Sequence, residues 1–459
     1  MVAARLAVMT SPADDPTYGQ TSLRAFWRDL PREGRMLLSI IVIEFFGTGL
    51  VLPFQVVYLH EVRLFALSDV GLMLGLSPLL GLLVVGPAGI AIDRIGARRI
   101  VLFVLAMTIT SNVVLAYAET EWQAALALGM QGIGFGLSWP AFQSLVAAVV
   151  PSKLRQRYFG VNFTLLNLGI GIGGVVGGFF VDVDRLVTFQ TIYFADAASY
   201  LPALFLLLVP LRHVAGRIDV DADLPTESVS YLAVFRRPAM ASLTLLSFVA
   251  SFVGYSQLNA GMPAFARAVG EVSTRTLGLA FAANTLVIVL LQLVVLGRIE
   301  GRRRTRVIAT MGVVWAFAWL CLGLSGLVPG TWGAAVLVAA CASVFALGET
   351  LLQPTVPALV NDLAPDHLRG RYNALSSGAF QLAAVIAPAV SGVLISQALG
   401  ELYIGILVVG SIAVGIVAVL QVEPQLEPRV NGVTGSLSDG PPPATPEPQV
   451  HGAPGTDVS

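Results

Sequence analysis

The chain alternates long apolar runs with short polar connections. Twelve runs are present, at 36–58, 68–90, 99–118, 122–149, 158–181, 187–211, 239–264, 275–297, 307–328, 332–361, 372–397 and 401–421. At about 20 residues each, they are long enough to cross a hydrocarbon core of roughly 30 Å as helices. In lipid the backbone polar groups must pair within the segment, and uninterrupted runs of this kind fit helices rather than the strands of a barrel. The pattern predicts an all-α polytopic membrane protein with twelve transmembrane helices.

A repeat divides these helices into two sets. Residues 140–158, PAFQSLVAAVVPSKLRQRY, and residues 354–372, PTVPALVNDLAPDHLRGRY, match without a gap at an offset of 214. Pro140, Leu145, Val146, Pro151, Leu154, Arg155, Arg157 and Tyr158 recur as Pro354, Leu359, Val360, Pro365, Leu368, Arg369, Arg371 and Tyr372. Self-similarity at about half the chain length implies a duplicated unit. Two pseudo-symmetric six-helix halves are therefore expected, at 36–211 and 239–421, joined by a polar linker at 212–238. Residues 1–35 read as a cytoplasmic lead-in, without the apolar core of a cleavable signal. Residues 422–459, dominated by Pro, Gly, Ser and Thr, read as a disordered cytoplasmic tail.

Composition agrees with the pattern. The 459 residues are 56% hydrophobic and 12% charged, against about 25% charged in soluble domains. A net charge of -1 gives no reason to expect nucleic acid. Of 27 Arg and Lys residues, placing both ends inside leaves only Arg63, Arg185, Arg267 and Arg275 outside. That bias is what an even number of spans with cytoplasmic termini requires. Lys153 is the only lysine, and the preference for Arg is that of a GC-rich bacterial genome, so a bacterial plasma membrane is the expected location. Cys321 and Cys341 lie inside apolar runs and read as small core residues. The four histidines lie outside the spans, and neither a phosphate-binding loop nor a metal-spaced cluster occurs. Neither an enzyme nor a cofactor is expected.

Polar groups inside the spans are the candidates for chemistry. Glu44 lies about nine residues into the first run, about 13 Å deep at the helical rise. A carboxylate there is expensive, and it is either functional or a neutral group bonded to a neighbouring helix. Asp196 in the sixth run is equally open to a structural and a substrate-facing reading. Glu349 lies in the tenth. Gln131, Tyr255, Gln257 and Asn284 are the candidates to line a substrate cavity, while Trp315 and Trp319 are more simply read as lipid or core contacts.

Between the second and third runs lies GIAIDRIGARR, with Gly89, Asp93, Arg94, Gly96, Arg98 and Arg99. Gly96 permits a tight turn, and Asp93 can accept from a helix N-terminus. Asp93 is expected to dock on the opposite half when the inner side is closed, at the start of the eleventh helix near Tyr372. These six residues resemble the signature loop of the major facilitator superfamily, with Ala97 departing from it. A worn copy, GRIEGRRRTR, begins at Gly297. Gly297 answers Asp93, so the second half is not expected to repeat what Asp93 does.

The resemblance implies the major facilitator fold and transport by alternating access, with a small-molecule substrate, protons and membrane lipid as partners and the chain a monomer. Gln131, Gly132, Gly134 and Gly136 resemble the family's fourth-helix motif, although Leu128 stands where it has an arginine. Gly169, Gly171, Gly173, Gly174, Gly177 and Gly178 resemble the antiporter motif of its fifth helix, with Gly174 in place of a proline. Close helix packing is the alternative reading of these glycines. The surroundings of Glu349, LGE followed by Pro354, are similar to those in multidrug:proton antiporters. The resemblance thus implies export of small amphipathic or cationic molecules by proton antiport, with Glu44, Glu349 and Asp196 carrying the proton coupling. The second reading is an exporter or facilitator for one metabolite.

Overall fold

The computed structural model describes residues 23–216 and 229–433. The expected disorder of the tail beyond Val433, and residues 217–228 of the linker, lie outside the described residues. Among the described residues, twelve helices are long and apolar enough to span a membrane. They are α1 (Arg32–Val62), α2 (Asp69–Ile95), α3 (Ala97–Ala116), α4 (Glu121–Val149), α5 (Ser152–Phe180) and α6 (Leu186–Leu208), followed by α7 (Pro238–Ala268), α8 (Arg275–Ile299), α9 (Arg304–Ser325), α10 (Trp332–Leu363), α11 (Asp366–Ser396) and α12 (Gly400–Gln425).

The two sets pack alike. In the first, α1 lies on α5 and α6, α2 on α4, and α3 on α4 and α6. In the second, α7 lies on α11 and α12, α8 on α10, and α9 on α10 and α12. Across the halves α2 packs on α11, and α5 on α8 and α10. The first helix of each set is broken at corresponding places. In α1 a tight turn at Leu52–Phe54 holds Pro53, which has no N–H to continue the ladder. In α7 the ladder widens over Gln257–Gly261, just before Pro263.

The cores of the halves differ. That of the second half is continuous and centred on Trp315, Trp319 and Phe345. The Trp315 and Phe345 rings stack at 4.5 Å, and Trp315 Nε1 donates to the Phe345 carbonyl at 3.0 Å. Both tryptophans are core residues. In the first half, one buried cluster gathers around Leu38, Val146 and Tyr158, and another around Tyr58, Leu115 and Phe189. A polar layer separates them.

By alternation of the spans, the turns after α2, α4, α8 and α10 share one face, which carries most of the arginines, with both ends of the described chain. Gly96 makes the first of these turns at φ 93°, a conformation open to glycine and strained for other residues. Gly301, at φ 75°, makes the turn after α8. Residues 426–433 fold back against the start of α9. There Asn431, 3% exposed, accepts from the Thr305 N–H at 3.0 Å, and its carbonyl accepts from the Arg304 N–H at 2.8 Å.

Candidate functional site

The polar layer of the first half encloses a cavity of about 540 Å³. Glu44 enters it from α1, half-buried, and Asp196 from α6, only 4% exposed. No Arg, Lys or His is among its lining residues. A chain of amides runs along the wall to Asp196. Gln55 donates to Gln131 at 3.3 Å, Gln131 to Asn112 at 3.2 Å, and Asn112 Nδ2 to Asp196 Oδ2 at 2.7 Å. Each amide passes one donor forward, so the carboxylate is the terminal acceptor. The other carboxylate oxygen, Oδ1, is buried against Gly47, with no hydrogen-bond partner in geometric range among the described residues. The Tyr200 hydroxyl pairs with Thr48 at 2.9 Å on the same wall.

A second cavity, about 200 Å³, lies between α4 of the first half and α7, α10 and α11 of the second. Its lining includes hydroxyls and amides such as Ser251, Ser377, Gln353 and Gln381, and no charged side chain. Tyr255 lines it and accepts from Gln353 Nε2 at 2.6 Å. Phe135 and Trp139 of α4 line both cavities and form the wall they share.

The sequence candidates divide accordingly. Gln131 and Tyr255 line cavities. Gln257 does not line either one. It is 1% exposed, donates to the Ala387 carbonyl at 3.3 Å and accepts from the Tyr403 hydroxyl at 3.0 Å, joining α7 to α11 and α12. Asn284, also expected in the cavity, instead turns to Glu349 and donates to Oε2 at 2.7 Å. Glu349, 3% exposed, lines neither cavity and lies behind Tyr255, whose hydroxyl meets its carboxyl. The two halves thus each hold a buried acid on an Asn Nδ2 at 2.7 Å. Asn112 and the serines escaped the sequence reading. Asn112 carried the same signal as Asn284, an amide inside an apolar run.

On the arginine-rich face the halves are sewn together. Asp93 Oδ1 accepts from the Gly370 N–H at 2.6 Å, and Oδ2 accepts from Arg371 Nη1 at 2.6 Å and from the Arg371 N–H at 3.3 Å. The backbones must approach closely here. A Cβ at Gly89 would fall 2.8 Å from the Gly370 carbonyl, and one at Gly370 would fall 2.8 Å from Ile92 Cβ. Arg371 is the repeat counterpart of Arg157, and Arg157 faces Glu300 at 3.3 Å. The second half therefore does repeat the contact, with the acid displaced from Gly297 to Glu300. Burial raises the Glu300 carboxyl above its usual range, and the charge of Arg157 lowers it less. Beside these pairs, Asp362 is shared by Arg155 of the first half at 2.5 Å and Arg304 of the second at 2.8 Å. Asn373 donates to Ser144 at 3.1 Å, and the Tyr231 hydroxyl donates to the Gly86 carbonyl. Of the other loop residues, Arg98 donates to the Leu207 carbonyl at 2.8 Å, tying the turn to α6.

The glycines of α5 serve two purposes. Gly169, Gly173 and Gly177 lie one turn apart against α1, where a Cβ on Gly173 would sit 2.9 Å from Gly49 Cα. At Gly174 and Gly178 the nearest atoms to an added Cβ are at 3.8 and 3.7 Å, ordinary contact distances.

Comparison with known proteins agrees with this architecture. The sequence profile described as Major Facilitator Superfamily matches residues 37–271 and 271–447. The MFS-type transporter YttB of Bacillus subtilis is 25% identical over 375 residues, covering 80% of this chain and 89% of its own. The quinolone resistance protein NorA of Staphylococcus aureus is 28% identical over 218 residues, covering 46% of this chain and 54% of its own. Among solved structures, a bacterial homologue of the iron transporter ferroportin in its outward-facing state superposes with a TM-score of 0.67 at 16% identity, over 84% of this chain and 98% of that one. The human organic anion transporter MFSD10 does so with a TM-score of 0.62 at 16% identity, over 86% and 100%. The chain is a multi-pass membrane transporter, not an enzyme, and belongs to the major facilitator superfamily.

Proposed function

We propose that this transporter exports amphipathic cations in exchange for protons, by alternating access across a bacterial plasma membrane with both termini cytoplasmic. The observation that carries the reading is the charge inventory of the cavities: two carboxyls, Glu44 and Asp196, and no basic side chain. Low-dielectric walls strengthen the field of one sign of charge. A cation finds partners there, and an anion finds none. The similarity to a protein named for quinolone resistance supports the same direction.

Desolvation favours the neutral form of a carboxyl, and a nearby positive charge favours the ionised form. A buried carboxyl therefore holds a proton when cargo is absent and releases it when a cation arrives, directly for Glu44 and Asp196 in the cavity and through the Tyr255 hydroxyl for Glu349. The seam of Asp93, Arg371, Arg155, Asp362 and Asn373 is the inner gate, closed here, and it must part before cargo can enter from inside. The arginines of that face support a cytoplasmic position for it.

The test is uptake of ethidium into vesicles carrying inside-out protein, with and without an acidic interior. Accumulation that follows the pH gradient is expected. Counterflow indifferent to the gradient would replace antiport with facilitated exchange, and absence of ethidium movement would remove the cation reading.

A further inference from the structure

The linker between the halves is tied down at both of its described ends, and both lie against the segment 86–99 that carries Asp93. Leaving α6, the chain passes over the start of α3, where the Ala215 carbonyl accepts from the Arg98 N–H at 3.4 Å. Gly216 turns there at φ 72°, and a Cβ on it would fall 2.9 Å from Ala97 Cβ. Ala97 is fully buried, so the small residue that departs from the family signature makes room for the linker to cross. The returning end forms a short helix, Tyr231–Phe235, capped by the Ser230 hydroxyl, which accepts from the Ala233 N–H at 3.2 Å.

This short helix belongs to the second half but reaches the first. Its Val234 is fully buried in the core of the second half. Two residues past the helix, Arg237 Nη1 donates to the Tyr372 hydroxyl at 2.7 Å. From the same helix Tyr231 crosses the seam, and its hydroxyl donates to the Gly86 carbonyl of α2. The hydroxyl has a socket because Gly89 lacks a side chain. A Cβ there would collide with the Tyr231 oxygen and lie 2.6 Å from Ala374 Cβ. Unlike the ionic contacts of the seam, this bond joins two neutral groups, and the linker rather than a span supplies it.

We infer that Tyr231 is a positioning residue for transport, a bolt that the linker inserts into the seam and that holds α2 against α11 while the inner side is closed. The inference rests on reading this seam as the inner gate, and it adds the linker to the gate. Val234 and Arg237 fix the tyrosine to the second half, so α2 cannot part from α11 while the hydroxyl stays on Gly86. When the halves part, water takes over both groups, and only the difference between the two sets of bonds favours closure. The bolt therefore biases the balance of open and closed states by a small factor, as suits a gate that must open in every cycle.

The experiment uses the full chain carrying Ser144→Cys, held in lipid nanodiscs, and measures the rate of labelling at that position by a charged maleimide. Ser144 lies in the seam and is 1% exposed, so the reagent reaches it only when the inner side opens, and the rate follows the open population. Cys321 and Cys341, buried within the second half, supply the background. Tyr231→Phe keeps the ring and removes the hydroxyl. It is expected to raise labelling at position 144 about fivefold, the worth of one neutral hydrogen bond, with the native cysteines as slow as before. Faster labelling of the native cysteines as well would mean general loosening and overturn the bolt. Labelling unchanged by Tyr231→Phe but raised by Asp93→Asn would overturn the bolt and leave the gate reading standing. If neither substitution changes it while ethidium export continues, the seam is not the inner gate and both readings fall.

Discussion

Arg371 reaches across the seam to Asp93, guanidinium to carboxylate at 2.6 Å, while the Gly370 N–H donates to the same carboxylate at 2.6 Å. The acid of one half thus meets the first turn of a helix in the other, where free N–H groups and the helix dipole favour an anion. A neutral amide cannot satisfy this set, since its nitrogen would face donors. Each charge-assisted bond is worth about 1.5–3 kcal/mol, so Asp93→Asn should weaken closure by about that much. The expected result is an ethidium export rate reduced at least about tenfold, with expression and membrane insertion unchanged. Full activity would leave the loop as a turn and no more.

The counterpart pair, Arg157 and Glu300, is a single contact at 3.3 Å between largely buried side chains. Its two contacting atoms, Arg157 Nε and Glu300 Oε1, make no hydrogen bond among the described residues, and an ion pair without charge-assisted bonds is the weaker of the two. Glu300→Gln should therefore slow export less than Asp93→Asn does. Measuring both variants in one assay tests the ranking, and a larger defect at Glu300 would reverse the assignment of the main latch.

The helices and the halves were legible because they rest on length, apolar continuity and the 214-residue repeat, which need no tertiary information. Glu44 and Asp196 stood out for the same reason, as acids in apolar runs. The pairing of polar groups was not legible. Whether Gln257 faces a cavity or α12 depends on how the widened turn at Gln257–Gly261 rotates α7, and Asn284 is drawn to Glu349 by packing between α8 and α10. The acid facing Arg157 was missed because the turn after α8 is made at Gly301, which shifts the register from the position answering Asp93. The serines of the smaller cavity left no trace, since Ser inside a span equally marks close helix packing.

Asp362 accepts from Arg155 and Arg304, all three side chains at most 8% exposed. Removing one member of a buried ionic cluster leaves charge uncompensated, at a cost of about 3–5 kcal/mol. Asp362→Ala should lower the melting temperature and yield of the purified protein, setting it apart from Asp93→Asn. A variant that melts normally but transports poorly would move Asp362 from scaffold to gate.

The α5 glycines offer a paired test of packing. A methyl group at Gly173 has no room against Gly49, whereas one at Gly174 meets only atoms at 3.8 Å. Overpacking of this kind costs about 1–3 kcal/mol. Gly173→Ala should destabilise the protein in a thermal melt, and Gly174→Ala should leave it unchanged. Equal tolerance at both sites would mean that α1 and α5 are not held in contact.

The carboxyls of the two halves should part company in function. Asp196 lines the larger cavity, so its charge acts directly on a cation lodged there. Glu349 lies outside both cavities, held by Asn284 and separated from the smaller one by Tyr255. It can influence cargo only through that hydroxyl. Asp196→Asn removes the charge but keeps an acceptor for Asn112. It should weaken ethidium binding about tenfold or more where the unaltered acid is ionised, the worth of a charge-assisted contact. Glu349→Gln imitates a permanently protonated acid and retains an oxygen for Asn284. Its binding of ethidium should stay within about threefold of the unaltered protein, while accumulation ceases to follow the pH gradient. Binding isotherms and gradient-driven uptake, measured on both variants and on Glu44→Gln, separate the roles. If Glu349→Gln still accumulates ethidium in step with the gradient, the proton travels by Asp196 or Glu44, and one cavity in the first half holds both cargo and proton.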